Sequence, residues 1–107
     1  MSLAWMLVLL AGVLEVGFAL SLKESHGFTK LWPSVAAMAC GGASFLLLTL
    51  ALKSLPVGTA YAVWTGLGAA GTVVVGILVL DEPASAGRLT SVALVLAGIV
   101  GLKLYET

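Results

Sequence analysis

The chain has 107 residues, of which 61% are hydrophobic and only 9% are charged, and its formal net charge is zero. Soluble domains carry about 25% charged residues, so this composition predicts a membrane protein with a single domain, 1–107. A neutral chain offers no basic surface for nucleic acid. The single cysteine, Cys40, excludes a disulfide within the chain. We expect no metal site, no cofactor, no catalytic residues and therefore no enzymatic activity.

Four apolar segments, separated by short connections that hold almost all the charges, predict an all-α protein with four transmembrane helices. About 20 apolar residues are enough for a helix to cross the hydrocarbon core of a bilayer. Trp5, Trp32 and Tyr105 lie near segment ends, where amphipathic rings favour the membrane interface, so we expect them to act as anchors. The predicted helices cover residues 3–22, 32–52, 57–80 and 88–104.

Glu15 is the one charged residue inside the first predicted helix, and it falls near the membrane midplane. An unpaired charge there costs several kcal/mol, so such a carboxylate is a candidate functional group. No Lys, Arg or His lies at comparable depth in the other segments. We therefore predict that its counter-charge is a proton or a cation that the protein carries; the alternative is a neutral glutamic acid bonded to a neighbouring helix. Gly12 and Phe18 flank it on the same helical face, so we expect both to line the site.

Three residues of other segments are candidate partners of the Glu15 carboxylate. Tyr61 and Trp64 share a face of the third helix, and a buried Tyr or Trp normally finds an acceptor for its O–H or N–H. Ser44 lies near the middle of the second helix and is a further possible donor. Ordinary helix packing is the alternative interpretation for all three.

Small residues mark two further features of the predicted helices. Gly66 and Gly68 lie close together in the third helix and are candidates for a hinge, although plain packing also explains glycines. In the fourth helix, Ser91 and Gly98 share one face two turns apart, and Gly101 adds a third small residue. A row of small residues favours close helix association. We expect it to form a packing surface between subunits.

The number of helices and the distribution of charges together predict an oligomer. Four helices do not enclose a path through a membrane, and a homodimer is the smallest solution. The short loops carry almost no Lys/Arg bias between the two sides, so we expect the chain to insert both ways and pair antiparallel. One side holds Lys53, Lys103 and the terminal amine, and the other holds Lys23, Lys30 and Arg88.

Over its whole length the chain resembles the small multidrug resistance family of transporters. The resemblance rests on AGVLEV at 11–16, GFTKLWPS at 27–34 and KSLPVGTAYAVWTGLG at 53–68. A central Glu combined with Gly-x-Ala-Tyr-Ala-x-Trp is specific to that family. The resemblance implies a four-helix protomer, an antiparallel dual-topology homodimer and proton-coupled export of cations. It also implies that Glu15 binds both proton and substrate, with the three candidate partners in the site.

Within that family the third segment resembles the guanidinium exporters, through Lys53, Thr59 and Thr65. Gly41 stands where exporters of polyaromatic cations typically have a tyrosine, and the resemblance implies that it lines the site. One residue departs from the guanidinium pattern, because Phe18 stands where those exporters usually have a tryptophan, so the ring is kept but its N–H is lost. The resemblance therefore implies an antiporter that exports guanidinium and small guanidinyl cations, with a broader exporter of quaternary ammonium and hydrophobic cations as the alternative.

The expected partners are a small organic cation, protons as the coupling ion, a second copy of the chain and the lipid bilayer, in the inner membrane of a bacterium. Two other classes of function stay open at this point. A non-transporting membrane scaffold would need no carboxylate at mid-membrane. A passive cation channel would carry the substrate without proton coupling.

Overall fold

The structure, a computed structural model, describes residues 2–105 and contains four α-helices in succession. Each helix is long and apolar enough to cross a membrane, and no strand occurs among the described residues. The predicted all-α architecture with four spans is confirmed. The terminal amine, which entered the charge count above, lies outside the described residues. The helices are α1 (Leu3–Glu24), α2 (Leu31–Ala51), α3 (Val57–Val79) and α4 (Ala86–Leu104).

The helix ends follow local capping signals. Ser2 caps α1 by accepting a hydrogen bond from the backbone N–H of Trp5 at 3.3 Å. Ser85 caps α4 in the same way, accepting from the backbone N–H of Arg88 at 3.2 Å. A serine hydroxyl at this position satisfies a backbone N–H that has no partner within the helix. Because of the Ser85 cap, α4 begins at Ala86, two residues before the predicted start at 88.

Helix α1 packs against both α2 and α3, and α4 packs mainly along α3, with Lys103 reaching Trp5 of α1. The buried core therefore lies among the first three helices. Among the described residues of α4 only Val92 is buried. The core cluster consists of Trp5, Val8, Ala11, Leu48, Ala51, Ala60, Val63 and Trp64.

Glycines allow α1 and α3 to approach each other closely. A Cβ atom built on Gly71 would lie 2.7 Å from Cγ2 of Val16, and one built on Gly12 would lie 2.7 Å from Cδ2 of Leu67. Both distances are shorter than carbon atoms tolerate. Gly12 was predicted to line the site, but here it faces Leu67 and borders neither of the cavities described below. Its position serves the contact between the helices.

The predicted hinge residues lie inside an uninterrupted helix α3. A Cβ atom on Gly66 would lie 3.2 Å from Cγ1 of Val95, so this glycine faces α4, whereas Gly68 faces α1. The two glycines thus have packing roles on different faces. Hinge motion at Gly66 and Gly68 stays a prediction.

The aromatic residues near the helix ends do not all behave as predicted. Trp32 and Tyr105 have 76% and 85% of their surface exposed, as anchors at an interface would. Trp5 is only 2% exposed and belongs to the core, so its predicted orientation was wrong. Its position on α1 turns the ring towards α2 and α3. Lys103 places its Nζ 5.3 Å from the centre of the Trp5 ring, within cation–π range.

Replacing Gly71 by alanine is expected to destabilise the protein by about 1–3 kcal/mol, because Val16 is β-branched and cannot move away without backbone shifts. The measurement is thermal unfolding in detergent. Gly42 in α2 provides the matched control, since a Cβ atom there would meet nothing within 4 Å. Equal unfolding temperatures for Gly71→Ala and Gly42→Ala would show that the α1–α3 contact is not tight.

Candidate functional site

Glu15 lies about half-way along α1, and its side chain rests against the backbone of α3 at Gly68. A Cβ atom on Gly68 would lie 2.9 Å from Cγ and 3.2 Å from Cβ of Glu15. Only a residue without a side chain leaves room for the carboxylate here. Among residues 2–105, no group donates a hydrogen bond to that carboxylate. Its oxygens are therefore available to a ligand.

Two cavities meet at Glu15. The first, of about 370 Å³, lies between α1 and α2 and has aromatic walls that include Phe18, Phe45 and Trp64. The ring of Phe18 covers Gly41, since a Cβ atom on Gly41 would lie 2.8 Å from Cδ1 of that ring. Gly41 thus makes room for Phe18, and these two of the three predicted lining residues border this cavity. Phe45 was not predicted from the sequence.

The second cavity, of about 450 Å³, runs along α3 on the other side of the carboxylate. Its α3 wall includes Tyr61, Thr65, Gly68 and Thr72. These positions follow one another by four, three and four residues, so they share a single helical face. Three of the four carry hydroxyl groups, and the cavity is therefore partly polar. Thr72 was missed as a site residue, although its spacing from Tyr61 and Gly68 was visible in the sequence.

A buried hydrogen-bond chain joins three helices one turn before Glu15. The indole Nε1–H of Trp64 donates to Oγ of Ser44 at 2.8 Å. The Ser44 hydroxyl in turn donates to the carbonyl oxygen of Ala11 at 2.7 Å. Ser44 and Trp64 therefore bond each other, and neither makes the predicted contact with the carboxylate. The physical reason is that the one hydroxyl proton of Ser44 is already donated to the backbone of α1.

Tyr61 borders the second cavity together with Glu15, but it is more exposed than predicted, at 56%. Its ring packs at a tilt on Trp64, with ring centres 5.4 Å apart, and Phe45 stacks on Trp64 at 5.5 Å. No described residue bonds the Tyr61 hydroxyl. Trp64 is thus held by one hydrogen bond and two ring contacts, while Tyr61 keeps its O–H free.

The predicted packing surface on α4 is open within the protomer. Ser91 and Gly98 are exposed, and Gly101 is half-buried. Cβ atoms built on Gly98 and Gly101 would meet nothing within 4 Å. This face has the small residues that close packing needs, and no helix of the same chain covers it in the described part.

Replacing Ser44 by alanine is expected to cost about 1–3 kcal/mol of stability, because the buried Trp64 N–H loses its acceptor. Trp64→Phe removes the donor instead. If the two residues act through their hydrogen bond, the double variant should be more stable than the sum of the single changes implies, by about 0.5 kcal/mol or more. Denaturant unfolding of the four proteins provides the numbers, and strictly additive losses would contradict the shared bond.

Comparison with known proteins places the chain in a family. The family model described as Small Multidrug Resistance protein matches residues 3–95. A guanidinium exporter from Yersinia pseudotuberculosis serotype I (strain IP32953) is 55% identical over 95% of this chain and 98% of its own length. Guanidinium exporters from Citrobacter freundii and Salmonella typhimurium are 53% identical over 95% of this chain and 97% of theirs. This multi-pass membrane protein therefore belongs to the small multidrug resistance family.

Proposed function

We propose that the protein exports guanidinium and small guanidinyl cations across the bacterial inner membrane in exchange for protons. Glu15 holds the proton and the cation in alternation. The observation that carries this proposal is the Glu15 carboxylate itself, which lies in the middle of an apolar helix, borders two cavities and accepts no hydrogen bond from residues 2–105. The relatives named guanidinium exporter support the choice of cation.

The chemistry of the carboxylate explains why the two ligands exclude each other. Guanidinium is planar and rich in N–H groups, so it pairs with a carboxylate through two parallel hydrogen bonds. A proton on Glu15 removes the negative charge and occupies one of the oxygens that this pairing uses. Binding of the cation therefore releases the proton, and proton binding releases the cation. With protons more concentrated outside, the exchange drives the cation out of the cell.

The proposed functional unit is an antiparallel homodimer. The uncovered face of α4 supports a dimer, because its small residues suit close packing against a partner helix. The balanced Lys/Arg distribution supports the antiparallel arrangement, because it allows the chain to insert in either orientation. A second copy brings a second Glu15 into the same assembly, so one bound cation replaces two protons and each exchange moves one net charge across the membrane. Two nearby carboxylates titrate as a coupled pair rather than one by one. In such a dimer the inward-open and outward-open states are equivalent by symmetry, and bending of α3 at Gly66 and Gly68 would exchange them.

A broader exporter of quaternary ammonium and hydrophobic cations is the second candidate function. One observation favours it: the cavity between α1 and α2 has apolar, aromatic walls, and Phe18 contributes a ring without an N–H donor. Gly41 argues against it, because Phe18 already fills the space above this residue. Currents with tetrapropylammonium and a polyaromatic cation, compared with guanidinium, distinguish the two candidates.

In proteoliposomes, Glu15→Gln is expected to abolish the electrical current that guanidinium elicits from the wild type, because an amide neither releases a proton nor attracts the cation. Glu24→Gln provides the matched control: this residue ends the same helix, is exposed, and should keep wild-type currents. Uphill accumulation driven by a pH gradient separates exchange from passive conduction. Proton-driven transport that persists in Glu15→Gln would contradict the proposal, and a silent wild type would favour a scaffold.

Gly98→Trp is expected to weaken dimerisation in detergent at least about tenfold, by forcing the paired helices apart at an interface without free volume. Within the protomer the position is open, so the folded monomer should tolerate the ring. Val100→Trp is the control, since Val100 is exposed on the opposite face of α4. Sedimentation or light scattering gives the dimer fraction. Equal fractions for both variants would place the interface elsewhere.

A further inference from the structure

Thr72 presents a hydrogen-bond acceptor to the cavity that Glu15 borders. Its hydroxyl lies 2.7 Å from the carbonyl oxygen of Gly68, one turn earlier on α3. A carbonyl oxygen only accepts, so the single proton of the Thr72 hydroxyl is donated to Gly68. The lone pairs that remain on Oγ1 are pure acceptors. Thr72 and Glu15 line the same cavity of about 450 Å³.

Gly68 connects the two acceptors. Its carbonyl holds the Thr72 hydroxyl, and the space left by its missing side chain holds the side chain of Glu15. A carboxylate and a hydroxyl oxygen are thus arranged around one glycine on the same side of α3. A ligand bound to Glu15 in this cavity lies next to the face that carries Thr72.

A guanidinium cation has more N–H groups than one carboxylate can accept. In a site with little water, every N–H that stays unpaired costs free energy. The ligand therefore needs a second acceptor that cannot itself compete as a donor. Quaternary ammonium ions carry no N–H group and have no such need.

We propose that Oγ1 of Thr72 is this second acceptor and that it selects cations with several N–H groups. The inference rests on guanidinium export as the proposed function and adds a specificity-determining residue to it. The other hydroxyls are less suited. Ser44 donates to Ala11, accepts from Trp64 and is only 1% exposed. Tyr61 and Thr65 line the same cavity, but no described residue accepts the proton of either hydroxyl, so neither hydroxyl discriminates between donors and acceptors.

The experiment compares Thr72→Val, which keeps the shape of the side chain, with Thr72→Ser, which keeps the hydroxyl. Thr72→Val should raise the KM for guanidinium about tenfold or more, as expected for a lost hydrogen bond to a charged group, and Thr72→Ser should stay near the wild type. The KM of both variants should change with pH around the same midpoint as the KM of the wild type, because a proton on Glu15 needs no second acceptor. Proteoliposome currents at several pH values give both quantities.

The matched control is Thr49→Val in α2. Thr49 makes the same type of hydrogen bond, from its hydroxyl to the carbonyl of Phe45 at 2.8 Å, but it borders neither cavity at Glu15. It should leave the KM unchanged. If Thr72→Val does not reach the membrane, Thr72→Cys offers a similar size with a much weaker acceptor and should raise the KM to an intermediate value.

The possible outcomes distinguish a failure of the proposed role of Thr72 from a failure of guanidinium export as the proposed function. An unchanged KM in Thr72→Val, an equal rise in Thr72→Ser, or a shifted pH profile would overturn the role of Thr72 while guanidinium export stands. Absence of a Glu15-dependent guanidinium current in the wild type would overturn the proposed function, and the inference with it. A rise confined to Thr72→Val at an unchanged pH profile is the result we expect.

Discussion

A carboxylate in the middle of an apolar membrane helix is the constraint on which the rest of the structure depends. A charged side chain at the centre of a bilayer costs about 3 kcal/mol on insertion scales, so Glu15 needs a proton, a cation or access to water. The structure leaves its oxygens without a described donor and places cavities on both sides of it. Gly68 makes this arrangement possible, because any side chain at that position would displace the carboxylate from α3.

The surroundings of Glu15 divide into a fixed part and an open part. The chain from Trp64 through Ser44 to the Ala11 carbonyl ties α3, α2 and α1 together one turn before the carboxylate. Trp64 borders both cavities, so the same bond shapes both walls. Helix α4 contributes nothing to this network within the described residues. The uncovered small residues of α4 suit contact with a second copy of the chain.

The sequence predicted the helices and the central carboxylate well, because long apolar segments and a lone charge leave few alternatives in a membrane. The sequence was a poorer guide to the contacts of individual side chains that have more than one possible partner. Ser44 bonds a backbone carbonyl instead of Glu15, and Trp5 faces the core instead of the interface. Such choices depend on how each helix is rotated against its neighbours, and an almost uniformly apolar helix carries little periodicity that would reveal its rotation. The roles of Gly68 and Thr72 could not be predicted for the same reason, since they depend on which face of α3 is turned towards α1.

The central claim is that proton and cation compete for Glu15, and proton release on binding tests it most directly. Guanidinium is added to purified protein in weakly buffered detergent solution at a series of pH values, and the released protons are measured with a pH indicator. The account predicts proton release that saturates with guanidinium, fades as the pH rises and is absent in Glu15→Gln. Saturable guanidinium binding without proton release at every pH would contradict it.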